Sequence, residues 1–425
     1  MTAVAGARPG RQQRARALLR DHLDFGPRPS RAVLLALAGA LAVQRIAVPG
    51  TQLPLLVPLV YVAVAIGLHR RVLSFDVARL RLFLVAAVLV VASTLVAVLR
   101  GLAPSVSSAL LVLGVYACGT LVLTAPTWTG HRALLGGYVR VMSAFAGSGA
   151  VLFALQWAGL AYSDWLAAVL PDRMLLSGYY TTNALFYGSP YQRANGLVFL
   201  EPSFFSLFCG LGLAAGLYLR VGLVPLGVLA AGLITSVSGN GMVVATAAVV
   251  VLVGTRQWRS LRPLVVPGVL VAVVMVAFGL GPILATRLTE VTRSDSSASF
   301  RFVQPYGVFA DHLVQSVPTL LLGQGAGTAD TLASQVRTDL VAPIIPKVVY
   351  EYGLVTAVVL LAMLVSMTLS RVPTWVVGAG LALVYWVINP SLLVPLVPFT
   401  VFTFMTLWAP LRSPDGGGRP PPVLT

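Results

Sequence analysis

The sequence predicts an all-α integral membrane protein of about 12 transmembrane helices, with a long, partly helical outer loop between spans nine and ten. Three observations lead there. Of the 425 residues, 57% are hydrophobic and only 10% charged, against about 25% charged in soluble globular chains. The apolar residues come in near-continuous runs broken by short basic or Pro/Gly-rich stretches, the pattern of spanning helices rather than of two or three soluble domains. Within the runs, polar and apolar residues do not alternate at every second position, which excludes a transmembrane barrel.

A polar N-terminal tail, residues 1–31, carries seven arginines. It is longer than the basic region of a secretory signal, so the first apolar run reads as an uncleaved helix and the tail as cytoplasmic. The polytopic domain, 32–409, holds runs at 32–48, 51–68, 82–99, 106–124 and 138–160, then 202–219, 221–237, 242–253 and 264–284, and finally 348–369, 373–388 and 392–407. About 20 residues are needed to cross a 30 Å core. Runs 221–237 and 242–253 fall short, and tilting, re-entry or a break around Ser236-Val237-Ser238-Gly239-Asn240-Gly241 would each account for that. Residues 410–425, rich in Pro and Gly, read as a disordered cytoplasmic tail.

The net charge of +16 comes from 29 Lys+Arg against 13 Asp+Glu, and Lys347 is the sole lysine. On a soluble domain such a balance suggests nucleic acid. Beside apolar spans it follows from the positive-inside rule and from anionic inner-leaflet lipids, so the implied partner is the bilayer and no nucleic acid is needed. With the N-terminus inside, twenty of the 29 basic residues fall on the cytoplasmic side, and an even number of spans returns the C-terminus there. Nine of the 13 acids fall outside: Asp164, Asp172, Glu201, Glu290, Asp295, Asp311, Asp330, Asp339 and Glu351. The outer face therefore carries the polar chemistry, on segments 161–196 and 285–346. Both exceed the usual length of a passive connection, and both are expected to form ordered, partly helical caps. Cys118 and Cys209 lie inside apolar runs and read as core residues. His22, His69 and His131 lie in basic flanks and are expected to be solvated.

No P-loop, dinucleotide-binding glycine fingerprint, His-Glu-x-x-His or Asp-x-Asp pair occurs. ATP hydrolysis and zinc proteolysis are thus poor readings, and no cofactor or metal is implied. Three outer segments carry the candidate chemistry. In the first, Arg193 to Ser203, Glu201 precedes a proline that disfavours helical geometry before it, so a helix should start at Pro202 with Glu201 near its N-cap. Glu201 is then either a capping carboxylate on a positive helix end or, with Arg193, one wall of a polar pocket at the membrane surface. The second segment brings Arg287, Arg293, Arg301, Asp311 and His312 ahead of Leu322-Gly323-Gln324-Gly325. These arginines are either a solvated loop face or, through the planar fork that matches phosphate oxygens, a site for a lipid-linked pyrophosphate. The third, Lys347 to Thr356, opens span ten with Glu351 and Gly353. Glu351 faces the macrodipole of its own helix start or Lys347 at i−4.

Taken in order, Arg193-x-x-Gly196 with Glu201-Pro202-Ser203, the Ser236 to Gly241 segment, Leu322-Gly323-x-Gly325 and Glu351-x-Gly353-Leu354 resemble the O-antigen polymerase and ligase superfamily. The resemblance covers residues 138–369. It implies a metal-independent, inverting membrane glycosyltransferase whose partners are a polyprenyl-pyrophosphate-linked glycan donor, a glycan acceptor and other polysaccharide-assembly proteins. It also implies pyrophosphate binding by Arg193, Arg301 and Arg293, and catalysis by Glu201 as base or acceptor-positioning group, with Asp311 and Glu351 in reserve. Two departures stand out. The ligase branch carries a His-Asn pair shortly before the Glu-x-Gly helix, where this chain has Ala342 and Pro343. Many members have an arginine after the serine matching Ser238, where this chain has Gly239 and Asn240. The missing histidine favours a polymerase over a ligase. A twelve-span secondary transporter is the rival from another class, but the two halves show no repeat of the kind many transporters have.

Overall fold

The computed structural model describes residues 28–185, 188–265, 268–269, 273, 299, 303–314, 316–336, 342–388 and 392–408. Among these residues the chain is mostly helical, with one two-stranded ribbon. It runs α1 (Arg28–Val43), α2 (Leu56–His69), β1 (Leu73–Phe75), α3 (Val77–Leu99), α4 (Val106–Ala117), β2 (Leu121–Leu123) and α5 (Trp128–Trp157). A short α6 (Trp165–Val169) interrupts the next segment, followed by α7 (Pro202–Leu219), α8 (Leu223–Thr235) and α9 (Gly239–Gly254). Then come α10 (Gln304–Val314), α11 (Val317–Leu322), α12 (Thr328–Val336), α13 (Ile344–Thr368), α14 (Trp375–Leu383) and α15 (Leu396–Phe404).

Four of these helices, α3, α5, α7 and α13, are long and apolar enough to cross a membrane, and seven shorter apolar helices accompany them. Their starts follow local chemistry. Asp76 accepts from the Ala78 and Arg79 N–H groups, Ser105 from Ser108 and Thr127 from Gly130, so short oxygen-bearing side chains satisfy donors that the first turn leaves free. The run 106–124 is not one straight helix. After α4 it tightens into a 3₁₀ turn and enters β2, which pairs antiparallel with β1 through Leu73↔Leu123 and Phe75↔Leu121. The run 138–160 lies mostly inside the 30-residue α5. Run 264–284 lies outside the described residues except for isolated positions, as do both chain termini.

The ends of the longer helices gather into two sets. One end joins Ser30 to Gly130, Asp76 to Arg371, Arg79 to Thr406 and His131 to Phe404. The opposite end joins Arg45 to Asp164, Gln44 to Leu200, Ser93 to Leu322 and Tyr352, and Arg100 to Gly323. His131 is a correction to the sequence reading. It is 1% exposed, donates to the Phe404 carbonyl through Nε2 (3.2 Å) and packs edge-on against Trp408. A basic flank in sequence thus turns out to be a packed helix start.

Segment 221–253 is a helical hairpin. At 1.5 Å per residue, the 13 residues of α8 and 16 of α9 reach about 20 and 24 Å, short of a 30 Å core. The break falls at Ser236 to Ser238, with Val237 held at φ 44°, a conformation costly for a β-branched residue. Ser206 of α7 pins it, donating to the Ser238 carbonyl (3.0 Å) and accepting from the Gly241 N–H (3.0 Å).

Candidate active site

Glu201 is the N-cap residue of α7, extended at φ −151° and ψ 163°, with Pro202 in the first helical turn. Proline fixes that start because it needs no donor there and disfavours helical geometry before it. The Glu201 carboxylate, however, makes no capping bond to the helix backbone. Its Oε2 accepts from the Ser203 hydroxyl (2.9 Å) and its Oε1 lies 3.4 Å from the Tyr180 N–H. It therefore faces segment 161–201 instead of the helix end. Beside it, Tyr179 packs edge-on against Phe204, and burial together with the Glu201 charge pushes the Tyr179 hydroxyl up to about 12.

The Arg45–Asp164 ion pair fastens the segment around Glu201 to the helices. Arg45, just past α1 and nearly buried, grips both oxygens of Asp164 at 2.8 and 2.5 Å. Asp164 also accepts from the Thr181 hydroxyl (2.6 Å) and from the Ala167 N–H (3.2 Å) as N-cap of α6. Burial on its own raises the Asp164 carboxyl, but the bonds from Arg45, Thr181 and Ala167 outweigh it and hold the group at about 2. Arg45 escaped the sequence reading, although a Gln44-Arg45 pair ending an apolar run on the arginine-poor face was the available signal. Gln44 works beside it: its Oε1 accepts from the Leu200 N–H one residue before Glu201.

Arg193 sits in the same segment, half-buried. Its guanidinium donates to the carbonyls of Ala184 (3.1 Å) and Leu185 (3.5 Å), and its own N–H reaches the Asn183 carbonyl. Arg193 and Glu201 thus share one folded loop, linked through Asn183, which donates to the Tyr180 carbonyl.

A second carboxylate cluster forms where two glycine motifs meet. Gly353, at φ 73° and ψ 163°, breaks α13, a backbone region open essentially to glycine alone. The break leaves the Tyr350 and Glu351 carbonyls without helical partners. The Gln324 and Gly325 N–H groups fill them at 2.8 and 2.7 Å. Gly323, also at positive φ, lies so close that an added Cβ would sit 2.5 Å from the Glu351 carbonyl oxygen and Gly353 nitrogen. Ser93 lies 3.1 Å from both the Leu322 and Tyr352 carbonyls, and Arg100 donates to the Gly323 carbonyl at 2.6 Å. The Leu-Gly-x-Gly and Glu-x-Gly segments thus form one interlocked backbone clasp against the C-terminal half of α3.

The Glu351 side chain is fully buried in this clasp. Its Oε1 meets Lys347 Nζ at 3.7 Å and the Ala329 N–H at the start of α12 at 3.4 Å, while Oε2 has no hydrogen-bond partner among the described residues. Lys347 is equally buried and bonds Asp330, which is exposed, at 2.5 Å. The i−4 pairing expected from the sequence is present, with Asp330 as an added partner that spacing alone could not reveal. Asp311 is exposed on α10, a helix docked through Phe309 onto Tyr350 next to Glu351. His312, its neighbour, is 2.8 Å from the Val308 carbonyl. Arg287, Arg293 and Arg301 lie outside the described residues. The Glu201 and Glu351 clusters stand on different helix groups: α7 packs on α5, α8, α9 and α14, whereas α13 packs on α3 and α10 to α12.

The chain matches no protein-family model, no curated protein and no solved structure.

Proposed function

We propose that this chain is a membrane glycosyltransferase that polymerises polyprenyl-pyrophosphate-linked oligosaccharide repeats at the outer face of the cytoplasmic membrane, in cell-surface polysaccharide assembly. The observation that carries the reading is the Glu201 carboxylate. It sits at the start of a proline-led helix without capping it, held by one hydroxyl and one N–H, and half-buried in a folded polar loop. A carboxylate with spare acceptor capacity at a membrane surface suits a general base. Further support comes from the sequence order of motifs, since Leu322-Gly323-x-Gly325 and Glu351-x-Gly353 lie against each other.

In this reading an acceptor hydroxyl attacks the anomeric carbon of the donor glycan and its proton passes to Glu201. The anomeric C–O bond breaks, and polyprenyl pyrophosphate leaves with its charge held by Arg193, Arg301 and Arg293. Single displacement inverts the anomeric centre. Arginine supplies a fixed, non-titrating cation through a fork matched to phosphate oxygens. Asp311 and Glu351 are the reserve carboxylates; Asp311 is open to solvent, while Glu351 is buried in the clasp. Ala342 and Pro343 lead into α13 with no imidazole at that place, which favours polymerisation over ligation.

The test is Glu201→Gln, which keeps shape but cannot take a proton. Polymer synthesis in cells is expected to collapse, by about 10²-fold or more for loss of a general base, while expression and thermal stability in detergent stay near wild type. A Glu201→Gln protein that makes polymer at the wild-type rate sinks the assignment.

A further inference from the structure

Two exposed aromatic rings flank the loop contact that positions the Glu201 segment. The Thr181 hydroxyl and Asp164 Oδ2 are 2.6 Å apart. Trp165 follows Asp164 in sequence and Tyr180 precedes Thr181, so each ring is one residue removed from that bond. Trp165 is 41% exposed and Tyr180 70% exposed.

The backbone under both rings is held from several sides. The Tyr180 N–H points at Glu201 Oε1, its carbonyl accepts from Asn183 Nδ2 (2.8 Å), and the Thr181 carbonyl accepts from Asn195 Nδ2 (3.0 Å). Tyr179 turns inward against Phe204, which leaves Tyr180 facing solvent. Trp165 Nε1 donates to the Leu197 carbonyl (3.1 Å), so its one polar atom is satisfied while 41% of the residue stays exposed. Leu197 is held at φ 75° with its N–H on Asn195 Oδ1 (3.1 Å). Backbone strain at a non-glycine residue persists where the surroundings over-determine it and gathers at ligand clamps. A solvent-facing ring gains nothing in stability from such support, whereas a ligand-binding ring gains pre-organisation, because little freedom remains to be lost on binding.

The occupant follows from the chemistry. A pyranose presents one face of C–H groups to an aromatic ring and a rim of hydroxyls to polar neighbours, and here exposed rings are carried by the same folded loop whose backbone is bonded to the Glu201 carboxylate and to the Asn183 and Asn195 amides. We infer that Trp165 and Tyr180 form a platform that stacks the acceptor sugar and aims its hydroxyl at Glu201. This rests on the glycosyltransferase reading and names the binding surface for its second substrate.

The probe is the oligosaccharide released by mild acid from the glycolipid that accumulates in a strain lacking this protein. It carries neither lipid nor pyrophosphate. Its dissociation constant is measured on the full chain in nanodiscs. Tyr180→Ala and Trp165→Ala are each expected to weaken binding about tenfold, and Tyr180→Phe by less than about twofold, since the ring face is kept. Melting temperature is read in parallel; Tyr180 makes no described side-chain bond, so Tyr180→Ala separates binding from folding if Trp165→Ala unfolds. Unchanged binding by Tyr180→Ala overturns the platform and leaves the glycosyltransferase reading standing. A defect seen only with the intact glycolipid also overturns it, since the rings would then be interfacial anchors. If the strain accumulates no glycolipid, the underlying reading falls and the platform with it.

Discussion

Asp164 couples the candidate site to pH with a definite sign. Its carboxyl is held at about 2 in the folded chain, below its ordinary 3.8. A lowered folded value means that the unfolded chain takes up the proton first, so the stabilisation is present above about pH 4 and is lost as pH falls towards 2. Removing one partner of a buried ion pair costs about 3–5 kcal/mol; with Asp164 partly open to solvent, Asp164→Asn is expected to cost about 2–3 kcal/mol at pH 7. Thermal unfolding in detergent from pH 7 to pH 2.5 checks both claims: the gap between wild type and Asp164→Asn should hold to about pH 5 and close below pH 4. A pH-independent gap would mean that Arg45 and Asp164 do not act as an ion pair. At this scale the sequence showed Glu201, Arg193, Asp311 and Glu351 as ionisable groups in an apolar chain. It concealed the pairings of Arg45 with Asp164 and of Asp330 with Lys347, because the partners are 119 and 17 residues apart in sequence and no local pattern reports such a contact.

The clasp between α11 and α13 is where element geometry rests on single residues. Gly353 combines a backbone conformation reserved for glycine with close approach of another chain segment: a Cβ there would lie 2.6 Å from the Gly323 nitrogen. Gly353→Ala is expected to cost at least about 1–3 kcal/mol from conformation alone, more with the steric overlap, and to disturb the Lys347, Glu351 and Asp330 arrangement. Gly254→Ala, at a position with open space around it, is the matched control and is expected to be neutral or slightly stabilising. Melting temperatures of the two proteins decide the matter, and equal values would show that the clasp is not rigid. The helix start at Pro202 was legible because proline acts locally, and the break near Ser236 to Ser238 was one of three readings that the short runs there left open. The Gly353 break was not legible, since an apolar run with one glycine reads as a continuous helix until the Gln324 and Gly325 donors that stabilise the break are in place.

Across the whole molecule the apolar helices suit a bilayer, and the contacts sort helix ends into two sets. We expect the end bearing Glu201 and Glu351 to face outside, because the basic residues are concentrated towards the other. In a background lacking Cys118 and Cys209, Ser334→Cys should react with an impermeant thiol reagent in intact cells and Arg259→Cys only after lysis; the reverse pattern would turn the chain over and remove the site from the outer face. Fold class was legible from composition because 57% hydrophobic residues leave few alternatives. The number of spans was less so, since runs such as 106–124 divide into helix, 3₁₀ turn and strand by packing that apolar composition does not encode.

The central claim is that this chain joins lipid-linked repeats into polymer, and the surface glycan of a strain lacking it tests that most directly. Gel analysis should show the glycan reduced to a single repeat, with the ladder of longer chains restored by the wild-type protein and not by Glu201→Gln. Long polymer retained on its lipid carrier would contradict polymerisation and assign the chain to ligation, and an unaltered ladder would contradict a role in glycan assembly altogether.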